Sequence, residues 1–370
     1  MKEEFVNNQK LFYIASVIAE GGEWFSLIRG NGLMRCDLQT NEVIRVSKFK
    51  DVGKETSILH SKLLYVNHKI VCVPFQTKEI AVYDLKREKM QFVEIPNIEG
   101  VRGSYFVQAH CKDEYVILVP CRTSSILKLN VNTLEIEIIY TIKDNGAYIW
   151  NRKEPFIYKA SELFNNKLYL AAFMEPFCVC IDLTTRETSY FTLPFKKGGS
   201  THLFGIEDSL YFIGQCGEIC KWGNNSTVKR IEKNNEFDWV IESGDVINHF
   251  IYLFGSTSGK VYKVSADNLQ VEENTVTLEK KNKCIKEIWH DFVGMSINLD
   301  GKIETFSSWS GQKLVIDPDT LRAEVAGYTG KVKRFNLDEM VDDMLESSPI
   351  HEGVLLELTD YIDYVKNKEV

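Results

Sequence analysis

Four side chains that suit ligand binding stand at equivalent positions of a sequence repeat described below: Arg29, Gln76, Arg122 and Trp309. The planar fork of an arginine matches a carboxylate or a phosphate, and a tryptophan ring matches the face of a sugar or a nucleobase. If the fold brings these positions together, they would bind one small anionic or saccharide ligand. The alternative is that each is an ordinary surface residue, solvated on its own.

A long polar segment carries further binding candidates. Residues 144–156, "DNGAYIWNRKEPF", place Tyr148, Trp150 and Arg152 close together. Aromatic side chains beside basic groups in an irregular loop are enriched at binding sites. The alternative is that Tyr148 and Trp150 fill the gap between two neighbouring structural units. Other predicted loops are rich in lysine and predict a cationic face: Lys48, Lys50, Lys54, Lys196, Lys197, Lys280, Lys281, Lys283 and Lys286.

A repeated sequence pattern of strand, polar turn and strand predicts the secondary structure that must position these residues. Near-copies are "AVYDLKREKMQFVEIP" at 81–96, "LKLNVNTLEIEIIYTI" at 127–142 and "VCIDLTTRETSYFTLP" at 179–194. The polar turn begins at Asp37, Asp84, Asn130, Asp182, Gly223, Ser265 and Asp317. The average spacing of about 47 residues is that of a blade of four strands.

A second register supports the repeat. An alternating strand begins 15 residues before each polar turn, or 14 before the fifth, and follows turn-forming residues. These strands are "GEWFSLI" at 22, "KIVCVPF" at 69, "YVILVPC" at 115, "KLYLAAF" at 167, "SLYFIGQ" at 209, "FIYLFGS" at 250 and "KIETFSS" at 302. The pattern of each unit therefore predicts a sheet of four strands, which we label a to d. Neighbouring units must cover the two apolar faces of this sheet. The alternative of two tandem β-sandwiches predicts no constant register.

This blade plan resembles the β-propeller superfamily over roughly residues 8–335. The chain lacks the kelch glycine doublet at the end of strand b, the GH…WD pair of WD40 repeats and the sialidase Asp-box. We predict an all-β fold, a seven-bladed β-propeller of four-stranded antiparallel blades, followed by an acidic α-helical tail. The predicted blades span about 8–48, 55–96, 102–143, 154–194, 198–233, 237–279 and 287–328.

The resemblance implies where ligands bind. In propellers the b–c and d–a loops share one face, around the mouth of the central channel, and ligands usually bind there. The eighth residue of each strand b would stand near that rim, which is the position of Arg29, Gln76, Arg122 and Trp309. Four histidines in or near the innermost strands are candidates to line the channel: His60, His110, His202 and His290. A histidine beside a carboxylate would act as a base, or would only hydrogen-bond channel water.

Composition excludes several classes of protein. No apolar run approaches the roughly 18 residues of a membrane helix, and "MKEEFVNNQK" does not read as a signal peptide. We therefore expect a cytoplasmic protein with no membrane partner. Nine cysteines without a CxxC pair predict reduced thiols and no metal site. No nucleotide, metalloprotease or serine-hydrolase motif occurs, so no cofactor is predicted and the catalytic residues stay unassigned.

The acidic charge is concentrated at the C-terminus. Residues 336–370 contain ten Asp or Glu and two Lys, which equals the net charge of −8 for the whole chain. The remaining neutral body is not typical of a nucleic-acid-binding protein. Two apolar patterns of helical spacing in this tail predict amphipathic helices. They would pack on the propeller or dock a protein partner.

These observations leave three functions open. The first is a non-catalytic propeller that binds a protein, or a small anionic or saccharide ligand, on one face. The second is an enzyme, a lyase, epimerase or hydrolase, acting on a small anionic or sugar-like substrate at the channel mouth. The third is a structural scaffold that assembles through the tail helices. The absence of a catalytic motif favours the first function.

Overall fold

Seven sheets, each with four antiparallel strands, make up the described part of the chain. A computed structural model describes residues 13–27, 32–40, 42–49, 59–96, 105–120, 123, 125–141, 160–173, 175–223, 227–230, 241–255, 260–275, 292–297, 300–307, 313–326 and 331–332. Within these residues, we find no helix with the length and apolar composition of a membrane span. The predicted helical tail, 336–370, lies outside the described residues.

The first four blades follow one another along the chain, each with strands a to d in sequence order. Blade 1 contains β1 (Tyr13–Ala19), β2 (Gly22–Leu27), β3 (Leu33–Asp37) and β4 (Glu42–Ser47). Blade 2 contains β5 (His60–Val66), β6 (Lys69–Pro74), β7 (Glu79–Asp84) and β8 (Lys89–Glu94). Blade 3 contains β9 (Phe106–Lys112), β10 (Tyr115–Pro120), β11 (Ser125–Asn130) and β12 (Ile136–Thr141). Blade 4 contains β13 (Ala160–Phe164), β14 (Lys167–Ala171), β15 (Phe177–Asp182) and β16 (Thr188–Thr192).

The last three blades have the same strand order. Blade 5 contains β17 (Ser200–Ile206), β18 (Ser209–Gly214), β19 (Glu218–Trp222) and β20 (Thr227–Arg230). Blade 6 contains β21 (Ile241–Ile247), β22 (Phe250–Gly255), β23 (Lys260–Ser265) and β24 (Val271–Thr275). Blade 7 contains β25 (Phe292–Ile297), β26 (Ile303–Ser307), β27 (Lys313–Ile316) and β28 (Ala323–Ala326). A short strand, β29 (Lys331–Val332), follows.

The blades close into a ring. Strand a of each blade contacts strand a of the next, and β25 of blade 7 contacts β1 of blade 1. Strand a is therefore the innermost strand and lines the central channel. This arrangement confirms the predicted β-propeller of seven four-stranded blades and excludes the tandem sandwiches. Strand b begins at the predicted residue in six blades and one residue later, at Ile303, in blade 7.

The chemistry of the turns explains why the same sequence pattern recurs in each blade. Among the described residues, four a–b turns hold both central residues at positive φ, as a two-residue type I′ turn requires: Glu20 and Gly21, Asn67 and His68, Asn165 and Asn166, and Asn248 and His249. In the c–d turn of blade 4, Oδ1 of Asp182 accepts hydrogen bonds from the backbone N–H groups of Thr184 and Thr185, at 2.8 and 3.0 Å. The same side-chain cap recurs at Asp37, Asp84, Asn130 and Asp317.

The hydrophobic core is divided among the interfaces between blades. Ile80 of blade 2 and Leu127 of blade 3 are fully buried in one such cluster, and similar clusters lie between the other neighbouring pairs from blades 1–2 to 6–7. Burying each such side chain contributes roughly 1.5–3 kcal/mol. Because each sheet needs a neighbour on both faces, the ring is the arrangement that buries all of this surface.

An unpredicted strand adds to the outer edge of blade 1. β29 pairs in parallel with β4, with Lys331 opposite Glu42 and Val332 opposite Val43. Blade 1 thus has five strands, its four antiparallel ones and this parallel addition. The chain therefore returns to its first blade after completing the seventh, and this pairing reinforces the contact between β25 and β1.

Candidate functional site

Polar side chains occupy two equivalent levels of the innermost strands. At the lower level, each polar residue pairs with the third residue of strand b: His110 with Ile117, Glu162 with Tyr169 and Asp245 with Tyr252. At the upper level, each pairs with the fifth residue of strand b: Lys62 with Val73, Gln108 with Val119 and His202 with Ile213. The upper level is nearer the b–c loops. We call these six residues the channel cluster.

Three charges of the channel cluster face one another across the ring. Lys62 lies in blade 2, Glu162 in blade 4 and Asp245 in blade 6. The charges of all three act on one another. Because these blades alternate around the ring and none is the neighbour of another, the interactions run through the central channel.

Glu162 is held in an unusual electrostatic environment. Burial raises the pKa of its carboxyl group from an ordinary 4.5 to about 7, Lys62 opposes the rise and Asp245 adds to it. The Glu162 side chain is half-buried. Within the described residues no hydrogen-bond donor reaches this carboxylate. Glu162 therefore exchanges its proton near neutral pH.

Lys62 is the cation of the channel cluster. Its Nζ donates a hydrogen bond to Oε1 of Gln108 at 3.2 Å. Burial lowers the pKa of Lys62, and the carboxylates of Glu162 and Asp245 oppose that change. Burial also raises the pKa of Asp245, against a hydrogen bond from the backbone N–H of Val246 at 2.7 Å and the charge of Lys62.

The two histidines of the channel cluster have different surroundings. Nε2 of His110 lies 2.8 Å from Oγ of Ser161. Burial, aided by the charge of Lys62, lowers the pKa of His110 to about 3, so its ring is neutral at pH 7. His202 lies 3.2 Å from Oγ1 of Thr201 and stacks on Phe204, with ring centroids 6.0 Å apart.

The other predicted residues have different positions. His60 lies between blades 1 and 2, 3% exposed, with Nδ1 3.0 Å from Oγ of Ser26 and its ring 4.3 Å from that of Phe49. Burial lowers the pKa of His60 to about 3, as for a neutral core histidine. Gln76 is half-buried in the b–c loop of blade 2, and its backbone N–H donates to the carbonyl of Leu59 at 3.2 Å. The remaining candidates lie outside the described residues: Arg29, Arg122, Tyr148, Trp150, Arg152, His290 and Trp309.

Sequence reasoning missed four members of the channel cluster: Lys62, Gln108, Glu162 and Asp245. A usable signal was present. Glu162 and Asp245 each stand five residues before the start of strand b, as His110 does, and Lys62 and Gln108 stand seven before it. Charged residues at one fixed position of the innermost strands are unexpected in a blade core, because an isolated buried charge is costly.

The positions of His, Cys, Asp and Glu side chains bear on metal binding and thiol chemistry. There, no three His, Cys, Asp or Glu side chains are grouped in a way that would hold a metal ion. The seven described cysteines are free thiols, most of them buried. Cys111 is exposed at the residue level, and partial desolvation by the surrounding protein raises the pKa of its thiol, which disfavours the reactive thiolate.

Comparisons with known proteins give the fold. No protein-family model matches the chain, and no curated protein matches it. Virginiamycin B lyase from Staphylococcus aureus superposes with a TM-score of 0.57 at 14% identity, over 82% of this chain and 94% of the lyase. A streptogramin B lyase gives 0.58 at 14% identity, over 82% and 92%. BamB from Moraxella catarrhalis gives 0.52 at 13% identity, over 80% and 81%. At these identities the likeness shows the β-propeller fold alone.

Proposed function

We propose that this chain is a non-catalytic β-propeller that binds a small polar ligand, of the saccharide class, at its central channel. The observation that supports the proposal is the convergence of Lys62, Glu162 and Asp245 from three alternate blades. Buried charges are retained where they are paired or where they serve a site. The Glu162 carboxylate has no hydrogen-bond donor within the described residues, so a ligand hydroxyl group would supply one.

A saccharide fits the channel better than an anion does. Lys62 faces two carboxylates, those of Glu162 and Asp245, and His110 is neutral at pH 7. A simple anion would therefore meet more negative than positive charge. The hydroxyl groups of a saccharide donate to carboxylates and accept from Lys62 and Gln108. The upper level of the cluster is nearer the b–c loops, so the predicted rim residues Arg29 and Trp309 would extend the same site.

The proposal is tested with a thermal-shift screen of mono- and oligosaccharides. The screen compares wild type with Gln108→Ala, Glu162→Gln and the control Glu187→Gln, an exposed carboxylate on the outer edge of blade 4. We expect a saccharide that stabilises wild type and Glu187→Gln but stabilises the two channel variants much less. A saccharide that shifts all four proteins equally would place its site elsewhere and refute channel binding.

A second candidate function is enzymatic. A carboxyl group whose pKa lies near 7, as for Glu162, is suited to general acid–base catalysis at neutral pH. Lys62 faces this carboxyl group across the channel, and burial lowers the pKa of its ammonium group. A lyase, epimerase or hydrolase acting on a bound saccharide would use this pair. Turnover of the screened ligand, followed by NMR, that disappears in Glu162→Gln while binding persists would favour the enzyme over the binding protein.

A further inference from the structure

The channel cluster has an excess of negative charge. Lys62 contributes one positive charge, and ionised Glu162 and Asp245 contribute two negative charges. Two other titratable groups interact with Lys62: His110 of β9 is a neutral imidazole with a pKa of about 3, and burial raises the pKa of the neighbouring Cys111 thiol. His202 of β17 interacts with Thr201.

Among the described residues, Lys62 donates a hydrogen bond to neither carboxylate. Its ammonium group donates to Gln108 and acts on the carboxylates at longer range. Asp245 receives one hydrogen bond, from the adjacent backbone N–H of Val246, and Glu162 receives none from the described residues. Two carboxylates on blades 4 and 6 thus stand at the same level of the innermost strands with unused acceptor oxygens, and the charge of Asp245 disfavours the ionisation of Glu162.

Building on the channel site proposed above, we propose that its ligand carries a protonated amino group, which lies between Glu162 and Asp245. An amino sugar or an amino polyol has this chemistry. The ammonium group would supply the second positive charge and the N–H donors that the carboxylates lack. The hydroxyl groups of the same molecule would contact Lys62, Gln108 and His202 at the upper level. An ammonium–carboxylate pair screened from bulk water is stronger than one at the surface.

This arrangement couples binding to the proton on Glu162. In the ligand-free protein the carboxyl group of Glu162 has a pKa of about 7. A ligand cation beside this group would favour its ionised form. Binding of an amine therefore releases a proton, and its affinity rises with pH between about 6 and 8. Binding of a neutral polyol releases no proton, because its hydroxyl groups hydrogen-bond to either form of the carboxyl group.

The test uses N-methylglucamine and sorbitol, which differ in having an amine or a hydroxyl group at one end. Alkylamines stay protonated throughout this pH range, as lysine side chains do. Isothermal titration calorimetry of both probes is carried out at about pH 6 and about pH 8, in buffers of different ionisation enthalpy. We expect N-methylglucamine to bind at least about tenfold more tightly than sorbitol at about pH 8, with proton release, and to lose roughly tenfold in affinity at about pH 6.

Matched variants assign the effect to the two carboxylates. We expect Glu162→Gln and Asp245→Asn to reduce the affinity for N-methylglucamine to that for sorbitol, whereas Glu187→Gln retains the preference. Thermal unfolding of each variant confirms that it is folded. Equal binding of the two probes would overturn the amino-group inference and leave the saccharide proposal standing. Binding of neither probe would also overturn it, since the saccharide screen decides the proposed function separately.

Discussion

Lys62 and Asp245 belong to blades 2 and 6, which are not neighbours in the ring, yet the charge of each shifts the pKa of the other. The two residues lie far apart in the sequence and meet through the channel. Their interaction depends on closure of the ring, which the contact between β1 and β25 completes. The candidate site is therefore a property of the closed propeller and of no single blade.

Removal of the channel cation should destabilise the protein. In Lys62→Met the carboxylates of Glu162 and Asp245 lose the positive charge that lowers the pKa of both. We expect a loss of about 2–4 kcal/mol in the free energy of unfolding at about pH 8, measured with urea. The loss should be smaller near pH 5, where Glu162 is protonated, because its pKa is about 7.

The matched control is Lys78→Met, at an exposed position in the same blade. Its effect should stay within about 0.5 kcal/mol. Adding Glu162→Gln to Lys62→Met should recover part of the lost stability, because it removes one of the uncompensated charges. A loss that is the same at both pH values, with no recovery in the double variant, would show that Lys62 acts through packing alone.

Glu162→Gln should change how stability depends on pH. The folded protein holds the Glu162 proton with a pKa of about 7, against an ordinary 4.5. Its contribution to stability is therefore complete below about pH 4.5 and is lost as the pH rises through about 7. We expect the variant to match wild type near pH 5 and to exceed it by roughly 2 kcal/mol near pH 8. A constant difference in urea unfolding across this range would contradict the assignment.

Gly205→Ala should disturb the packing of blade 4 on blade 5. A Cβ atom at position 205 would lie 2.5 Å from Cδ2 of Phe164, which is two residues beyond Glu162. We expect a loss of about 1–3 kcal/mol in chemical unfolding, and substantial recovery when Phe164→Leu is added. At Gly223 the nearest atom would be Oγ of Ser209 at 3.6 Å, so Gly223→Ala serves as the control. Equal losses for the two alanine variants would exclude the steric explanation.

The predicted cationic rim is tested by combining Arg29→Ala with Arg122→Ala. If the arginines converge at the channel mouth, the double variant should bind a phosphorylated sugar at least about tenfold more weakly, because each arginine fork matches a phosphate. Arg87→Ala, an exposed arginine in a c–d turn on the opposite face, is the control. An unchanged affinity of the double variant would remove Arg29 and Arg122 from the site.

The fold was predictable because its signals are local. Type I′ turns at Asn165 and Asn166, and the cap that Asp182 places on the next turn, depend on residues a few positions apart. These signals recur with each blade, and the strand boundaries follow from them. The parallel pairing of β29 with β4 joins residues about 290 positions apart through two residue pairs, and no local pattern marks it.

The channel cluster was harder to predict because a register shift decides which side chains face the channel. The pairing of β5 with β6 is interrupted between His60 and Lys62. An irregularity of one residue moves the following side chains to the other face of a strand. His60 consequently packs against Phe49 and Ser26, and Lys62 reaches the channel. Alternation alone places both residues on one face of the strand. His60 was therefore predicted to line the channel, and Lys62 was not predicted.

The most direct measurement is a pH titration of the Glu162 carboxyl carbon by NMR, in wild type and in Lys62→Met. We expect a midpoint near pH 7 in wild type and a higher midpoint in the variant, because the lysine favours the ionised carboxylate across the channel. A wild-type midpoint at the ordinary value of 4.5, unchanged when Lys62 is replaced, would show that these two residues do not share a buried channel.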